Sequence, residues 1–379
     1  NLNDRNMLSY IKQIKPSLEA AISHDIAQGG KSVAEIIDDQ YEGVPYAQDI
    51  AKLLLMSSLN ETTHGLQGLN DSEALGYLCE PGVDLNNYKK ALGEIKSQSW
   101  YLKMDNRGRY YFQNTKNMVA EMNTLVESYS NESAKKELRK FLEDNFRPAL
   151  KNCYEQLFVL PAVDEINLDM NKLSLVIFEP YAGVGLHPDL KAFYENASYK
   201  NRVMFLSGQR NVMEKLYQNS KKLTAIKQIL ASMKAEHVPT TDQQYIEAER
   251  QQDTAITALL QTIRETFITI YFPNASGMNS EDFKLEFKEN KFNGEEQIVK
   301  TLKESSKFED FTSDDSALET MRKKCEQRIF TTKEMPWSQI RERTATEVRW
   351  QWYHPGQLET LKKDCLTKDK WREIGGYIV

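Results

Sequence analysis

The sequence predicts an α+β fold that is mostly helical, in which a winged helix-turn-helix is combined with a small α/β (βαβ) unit and a long helical hairpin. Three observations predict this class. Residues 70–114 have the pattern of two helices followed by a β-hairpin. Residues 157–210 hold short apolar, β-branched and aromatic runs, with a helical stretch before the last of them. Residues 211–270 carry apolar residues at helical spacing along two long runs.

These patterns divide the 379 residues into seven segments, and this length is enough for two or three domains. In chain order we predict a helical segment at 1–46, a winged helix at 47–115, a helical connector at 116–156, a small α/β unit at 157–210, a helical hairpin at 211–272, a mixed strand and helix segment at 273–335, and a second helix-turn-helix-like module at 336–379.

The composition limits the classes of protein that need to be considered. No run approaches the ~20 apolar residues of a membrane-spanning helix, and no secretory signal sequence is present, so we expect no membrane contact. The four separate cysteines fit reduced thiols in the cytoplasm, which is the location we expect. The net charge of −6 argues against a chain coated with DNA-binding surface, although a local basic face remains open. The four cysteines lie far apart and the five histidines do not pair at metal-ligand spacing, so we expect no disulfide framework and no metal site.

Residues 1–40 show helical spacing that is interrupted at Gly29-Gly30-Lys31-Ser32, which invites comparison with a phosphate-binding loop. A Walker A loop requires another glycine five residues before its final glycine, so that backbone N–H groups can wrap the phosphates. Position 25 is instead Asp25, and the preceding segment is helical where the motif requires a strand. We therefore interpret the two glycines as a helix stop that is followed by a new helix from Ser32.

The winged helix is the best-defined element of the chain. After a helix at 47–59 and a loop at 60–68, Asn70 can cap a short helix, with Glu73 closing a capping box. Asp84 can cap the next helix, whose apolar residues keep helical spacing. Two strands are then expected, at 100–104 and 109–112, joined by a four-residue turn that ends in glycine.

The second helix of this module and its wing carry candidate nucleic-acid contacts, since Lys and Arg can hold phosphates and Asn can reach base edges. The candidates are Asn86, Asn87, Lys89, Lys90, Lys96, Arg107 and Arg109. From Leu69 to Phe112, however, Lys and Arg number six and Asp and Glu also number six, so the module is neutral. Neutral winged helices often dock onto proteins, and both interpretations stay open at this stage.

Three patterns in the middle of the chain imitate catalytic motifs. Asp164-Glu165 and Glu179 end apolar runs, as a Walker B carboxylate does, but no Walker A loop accompanies them. His187-Pro188-Asp189 copies the tripeptide of J-domains, although here it joins a strand to a helix. We interpret all three as coincidental and predict no catalytic residue in this chain.

The last third of the chain alternates between helical and extended patterns. Pro239 to Asp242 separates the two long helices of the hairpin, which serves either as packing or as an arm for a partner. Residues 283–287 alternate as a strand, 297–303 and 316–329 have helical spacing, and 304–315 are polar as in a loop. The pattern of the tail predicts two small helices and a strand at 375–379. These elements form either a complete second winged helix or only half of one. Four aromatic residues of the tail are candidates for interface anchors or for core: Trp337, Trp350, Trp352 and Tyr353.

Three stretches together resemble the large phage-defence P-loop ATPases of the PglY/BrxC kind, a family long catalogued only as a domain of unknown function. They are RYYFQNTKNMVAEMN after the wing, KNRVMFLSGQRNVMEKL and the terminal KDKWREIGGYIV. The resemblance implies a P-loop module upstream of this region, which would carry the Walker residues, ATP and magnesium. The chain begins NLND without an initiator methionine, which also favours a downstream fragment.

The resemblance carries over no catalytic residue, because this chain has no matching Walker A loop. It implies a non-catalytic regulatory or DNA-contacting fragment of a larger phage-defence ATPase, with double-stranded DNA as a partner. The alternative is a protein–protein scaffold that docks onto the upstream ATPase module or onto other defence-system proteins and binds no nucleic acid. An independent enzyme has no support from any nucleophile, metal cluster or phosphate loop. For this fragment we therefore expect no cofactor.

Overall fold

The structure is a computed structural model that describes residues 10, 15–59, 67–82, 84–113, 117–209, 212–235, 237–287, 292–310 and 313–379. Its fold is α+β and mostly helical, which confirms the predicted class. Two compact units are present: the first comprises the described residues of 1–130 and 224–252, and the second those of 131–223 and 253–379. The predicted loop at 60–68 lies outside the described residues, apart from its last two positions.

The first unit begins with a helical segment at 16–26, in which 3₁₀, α and π turns follow one another. Its further elements are α1 (Val33–Asp39), α2 (Tyr46–Ser58), α3 (Asp71–Tyr77), α4 (Leu85–Gln98), β1 (Leu102–Met104), β2 (Tyr110–Phe112) and α5 (Met118–Ser128).

The second unit contains a five-stranded sheet and most of the remaining helices. In chain order the elements are α6 (Asn131–Phe146), β3 (Gln156–Val159), β4 (Ser174–Ile177), α7 (Pro188–Asn196), β5 (Val203–Ser207), α8 (Met213–Ala235), α9 (Gln243–Thr266), β6 (Thr269–Asn274), β7 (Gly277–Asp282), α10 (Gly294–Glu304), α11 (Asp315–Arg328), β8 (Met335–Pro336), α12 (Trp337–Thr346), α13 (Gln357–Thr367), β9 (Glu373–Ile374) and β10 (Tyr377–Ile378). Helices α8 and α9 contribute residues to both units.

The caps predicted around α3 and α4 are confirmed. The Asn70 side chain accepts a hydrogen bond from the Glu73 N–H at 2.9 Å, and the Glu73 carboxylate accepts one from the Asn70 N–H at 3.0 Å. Asp84 accepts from the Asn86 N–H at 2.9 Å. Each cap satisfies N–H groups that have no partner inside the first helical turn.

The strands after α4 form the predicted hairpin, with Leu102 opposite Phe112 and Met104 opposite Tyr110. An additional bridge pairs Leu69 with Tyr110, so that a third short extended piece lies against the hairpin just before α3. The sequence gives no sign of this bridge. Gly68 is required beside it, because its φ is +78° and a Cβ there would lie 2.3 Å from the Tyr110 carbonyl oxygen.

Asp25, which blocks the Walker interpretation in the sequence, has a structural role in the first unit. Its side chain is fully buried, and it accepts hydrogen bonds from the Trp100 N–H at 3.0 Å and the Tyr101 N–H at 2.7 Å. These two residues lead from α4 into β1. The carboxylate therefore ties the helical segment 16–26 to the start of the hairpin.

The five-stranded sheet has the order β3-β4-β5-β6-β7. Strands β3, β4 and β5 run parallel, and helix α7 lies between β4 and β5 in the chain. Strands β6 and β7 then continue the sheet as antiparallel neighbours. The buried residues on this sheet and α7 include Val176, Leu190 and Phe205.

Two predictions for the residues after the long helices are wrong. The predicted hairpin segment runs to 272, but helix α9 ends at Thr266 and the chain enters β6 at Thr269. The strand predicted at 283–287 is displaced, since the paired strand is β7 at 277–282. Phe283 and Leu285 are buried in the alternating way that suggested a strand. The backbone at Glu286 instead bonds to the Gln297 side chain at 2.7 and 2.8 Å.

The two long helices run alongside each other within the second unit. Asn219 on α8 donates to the Thr262 hydroxyl of α9 at 2.8 Å, and Lys215 pairs with Glu265 at 3.1 Å. The earlier residue of α8, Lys215, contacts the later residue of α9, Glu265, and the later residue Asn219 contacts the earlier residue Thr262. The two helices are therefore antiparallel here. Asp242 accepts from the Gln244 N–H at 2.7 Å and so caps the start of α9 after the break.

The C-terminal residues form helices α11, α12 and α13 with a small three-stranded sheet in the order β8-β10-β9. The strand predicted at 375–379 differs from the observed structure, because Gly375 and Gly376 form the turn of a hairpin between β9 and β10. Both glycines have positive φ, at 59° and 83°, which suits a two-residue hairpin turn. Trp350 and Trp352 are buried and so belong to the core, whereas Trp337 and Tyr353 are partly buried.

Candidate nucleic-acid interface

Helix α4 separates its buried and exposed residues into two stripes. Tyr88, Ala91, Leu92 and Ile95 are buried. The exposed residues within the helix lie on the opposite face, at spacings of three or four: Asn86, Lys89, Lys90, Gly93 and Ser97. We call these five residues the α4 stripe. It contains no carboxylate and no apolar side chain larger than glycine.

The structure places three of the predicted contact residues, Asn86, Lys89 and Lys90, on the α4 stripe. Asn87 is turned away from it. Its side-chain amide lies 3.4 Å from the Tyr46 hydroxyl and donates to it, and the residue is partly buried.

Lys96 is held inside the module. Its ammonium lies 2.5 Å from a carboxylate oxygen of Asp71 at the start of α3, and 4.4 Å from the centre of the Tyr110 ring on β2. This lysine therefore links α4 to both α3 and the hairpin. Its charge is already compensated by a carboxylate, so it is a poorer phosphate ligand than the two lysines of the stripe.

Arg109 directly follows the turn of the hairpin, and only 9% of its surface is exposed. Its Nε and Nη2 donate to the Gly68 carbonyl oxygen at 3.2 and 2.7 Å, and its Nη1 donates to Glu73 at 2.9 Å. This hydrogen bond holds the pKa of the Glu73 carboxyl below its usual value. The predicted role of Arg109 as a nucleic-acid contact is therefore replaced by a role in packing the hairpin.

The turn between β1 and β2 presents Arg107 to solvent. Asp105 accepts hydrogen bonds from the Arg107 N–H at 2.8 Å and the Arg109 N–H at 2.9 Å, which fixes the turn and lowers the pKa of the Asp105 carboxyl. The Arg107 side chain is exposed. Met104, at the end of β1, is exposed as well, at 59%.

The neutral charge count of this module hides an uneven distribution. Asp71 and Glu73 pair with Lys96 and Arg109. Asp84 and Asp105 cap backbone N–H groups, and Glu94 accepts from the Tyr41 hydroxyl at 3.3 Å. In the part of the chain that the structure describes, Lys89, Lys90 and Arg107 form no ion pair, and neither does the exposed Glu80. The α4 stripe itself carries two positive charges and no carboxylate.

Gly93 and Ser97 belong to the α4 stripe, although they were not among the predicted contacts, which were chosen as Lys, Arg and Asn residues. The spacing of the stripe, at positions i, i+3, i+4, i+7 and i+11 from Asn86, was the signal that could have identified them. Gly93 has open space around the position of a Cβ. Small residues at these positions leave room for a ligand backbone to approach the helix closely.

Backbone N–H groups in and beside the Gly29-Gly30-Lys31-Ser32 loop donate to a carboxylate of the same chain. The Glu35 carboxylate accepts from the N–H groups of Gln28, Lys31 and Ser32 at 2.8, 3.1 and 3.1 Å. Ser32 completes a capping box at the start of α1, as the predicted new helix requires.

The other motif-like residues also make local contacts. Glu165 accepts from the Ala162 N–H at 2.9 Å, Glu179 pairs with Lys135 at 2.9 Å, and the His187 ring accepts from the Asp189 N–H at 3.2 Å. Among the described residues, no group of three or more His, Cys, Asp or Glu side chains is placed to hold a metal ion. None of the helices in the described part of the chain is both long and apolar enough to cross a bilayer.

No protein-family model, no curated protein and no solved structure matches this chain.

Proposed function

We propose that residues 46–112 form a winged-helix module that contacts the phosphate backbone of double-stranded DNA through the α4 stripe and Arg107. In this proposal the chain is a non-catalytic, DNA-contacting or regulatory part of a larger cytoplasmic phage-defence ATPase. The observation that carries the DNA contact is the α4 stripe, whose two lysines have no ion-pair partner among the described residues and whose exposed face has no carboxylate.

The geometry of the stripe suits a phosphate backbone. Lys89 and Lys90 supply mobile positive charges, and Gly93 and Ser97 leave a shallow face on which a strand can lie. A helix that follows a short helix and precedes a hairpin is the element that enters the major groove in helix-turn-helix proteins. Asn86, near its N-terminal end, is the stripe residue suited to a base edge.

The association with an ATPase is supported by the three sequence stretches that resemble the PglY/BrxC kind. The Walker residues, ATP and magnesium are assigned by this proposal to an upstream module. Residues 315–379, which include the second module predicted at 336–379, have the same order of elements as the first, namely helix, short strand, two helices and hairpin. We propose that they form a second winged helix.

The test is duplex binding followed by fluorescence anisotropy across a series of salt concentrations. For Lys89→Ala/Lys90→Ala we expect weaker binding and a plot of log K against log salt that is shallower by about 2, because each phosphate contact contributes about 0.9 to the slope. The matched control is Lys31→Ala/Lys136→Ala, which removes two exposed lysines elsewhere and should leave the slope unchanged. Absence of binding at low salt, or equal slopes for both variants, would overturn the DNA contact.

One observation favours the scaffold alternative. Three large apolar or aromatic side chains of the same module are exposed: Met56 on α2, at 62%, Tyr77 at the end of α3, at 71%, and Met104 on β1, at 59%. Exposed apolar and aromatic groups of this kind act as anchors in protein interfaces. If the upstream ATPase module or another defence protein co-purifies with the wild type but not with Tyr77→Ser/Met104→Ser, and duplex DNA does not bind, the scaffold function is favoured.

A further inference from the structure

A pocket in the second unit is lined by positive charge and by neutral polar groups. Its volume is about 510 Å³, and its charged lining residues are Lys307, Lys324, Arg328 and Arg349. Amide side chains, among them Asn279 and Gln351, complete the wall, and the lining contains no carboxylate. Cavities of ~300–1,000 Å³ are typical of small-molecule sites.

Lys307 is the most buried of these cations, with 6% of its surface exposed. Its ammonium donates to Asn201 Oδ1 at 2.8 Å, to the Val348 carbonyl at 2.9 Å and to the Trp350 carbonyl at 3.2 Å. All three acceptors are neutral, and the ammonium also lies 4.7 Å from the centre of the Trp352 ring. Its three N–H groups are therefore used, while no carboxylate among the described residues forms an ion pair with it. Burial of an uncompensated ammonium is costly in the absence of a nearby anion.

The remaining cations are partly compensated. Lys324 pairs with Glu309 at 2.7 Å, and Arg349 pairs with Glu347 at 2.9 Å. Arg328 donates to the Arg349 carbonyl oxygen at 2.7 Å, which is again a neutral acceptor. Within the described residues no carboxylate forms an ion pair with Arg328 or Lys307, so two of the four positive charges are left over.

Burial is the main cause that lowers the pKa of Lys307 to about 7, and the positive charges of Arg202 and Arg328 lower it further, against a smaller opposing effect of Glu347. Of these two arginines only Arg328 lines the pocket. An anion in the pocket would face Lys307 and Arg328 together and would offset their positive charges. A doubly charged oxyanion matches the two uncompensated cations, and guanidinium and amide N–H groups are suited to its oxygen atoms.

We propose that this pocket binds the phosphate group of a nucleotide-sized ligand. The phosphate faces Lys307 and Arg328. The Asn279 amide donates one N–H to Glu281 at 3.2 Å and the Gln351 amide one to the Ser306 carbonyl at 2.8 Å, so each has a second N–H for the phosphate oxygen atoms or for the group attached to them. The phosphate belongs either to a free nucleotide or to an oligonucleotide. The pocket and the α4 stripe lie in different units, so this proposal stands independently of the proposed DNA contact.

The experiment is isothermal titration calorimetry of the full chain with pyrophosphate, with metal-free ATP and with a short single-stranded oligonucleotide. We expect saturable binding of at least one probe. Arg328→Gln should weaken it about tenfold or more, because it removes a charged donor, whereas Lys323→Gln should change it less than about twofold. Lys323 is the matched control, since it is an exposed cation on the same helix that does not line the pocket.

The pattern of binding identifies the source of the phosphate. Binding of pyrophosphate and ATP supports a free nucleotide, and binding of the oligonucleotide alone supports a nucleic-acid phosphate. The proposal is overturned if no probe binds at millimolar concentration, or if Arg328→Gln and Lys323→Gln bind every probe equally well.

Discussion

Arg109 joins the hairpin to the chain that precedes α3, because one guanidinium bonds both the Gly68 carbonyl and the Glu73 carboxylate. The two strands of the hairpin are only three residues long, so few backbone hydrogen bonds join them. The buried guanidinium therefore supplies polar contacts that short strands lack. Arg107, two residues earlier in the turn, is exposed and is free to act on a ligand.

This pair of arginines gives a matched prediction. Arg109→Ala should lower the free energy of unfolding by about 1–3 kcal/mol, since it leaves the buried Gly68 carbonyl without its donor. Arg109→Lys should recover only part of this loss, because an ammonium cannot replace the fork of a guanidinium. Arg107→Ala should leave stability unchanged and weaken duplex binding. Urea denaturation and anisotropy measure the two effects, and the reverse pattern would contradict the assignment.

The division of roles between the two arginines could not be read from the sequence. The pattern Arg107-Gly108-Arg109 in a turn offers both residues equally as phosphate ligands, and the neutral charge count does not say which charges are paired. The partner of Arg109 is a backbone carbonyl 41 residues away. Which arginine is buried depends on the contact between Gly68 and the hairpin, and this contact is visible only in the three-dimensional structure. Lys89 and Lys90, by contrast, follow from helical spacing alone.

Lys307 predicts a pH dependence of stability. Its pKa is lowered from 10.5 to about 7 in the folded chain, by burial and by the charges of Arg202 and Arg328, with Glu347 opposing them. Between these two pH values the unfolded chain binds more protons than the folded chain, so the free energy of unfolding rises with pH. The rise is at most about 1.4 kcal/mol per pH unit.

The measurement is urea denaturation between pH 7 and pH 9 in a buffer without phosphate. Lys307→Met should lose this part of the rise, so the difference in stability between wild type and variant should change with pH. If the two proteins show the same pH dependence over this range, Lys307 remains charged and the pocket holds no such strained cation.

At the scale of elements, caps were predictable and edge strands were not. Asn70, Glu73 and Asp84 stand at fixed offsets from the start of their helices, and those offsets alone determine the hydrogen bonds. Strand β7, GMNSED, is a mostly exposed edge strand without an apolar face, so it has no alternation to detect. Strand β6 follows two residues after a long helix, and its apolar run continues the helical pattern without a clear break.

Helix α4 allows a test that separates the exposed face from the fold. Gly93→Ala should stabilise the chain by about 0.5–1 kcal/mol, since the Cβ meets open space and glycine is unfavourable within a helix. It should leave duplex binding almost unchanged. Gly93→Glu places a carboxylate in the middle of the α4 stripe and should weaken binding strongly without unfolding the helix. Thermal unfolding and anisotropy are the measurements, and binding that tolerates glutamate would exclude this face.

At the scale of the whole chain, the charges limit how a DNA contact can be made. The net charge is −6, so long-range attraction to a polyanion is absent and contact depends on a local face. The α4 stripe and Arg107 together offer three uncompensated cations. Phosphate contacts of this number support non-specific, salt-sensitive association, which is consistent with a module that assists a larger assembly and does not select a sequence by itself.

The salt dependence of the wild type follows from this count. Three phosphate contacts predict a slope of log K against log salt of about −3, so affinity should fall roughly fortyfold between 50 and 200 mM salt. Arg107→Ala should bring the slope to about −2, and the triple variant with Lys89→Ala and Lys90→Ala should make it nearly flat. A wild-type slope steeper than about −6 would place most phosphate contacts elsewhere in the chain. A flat slope would exclude binding to the phosphate backbone and would favour the protein-docking function.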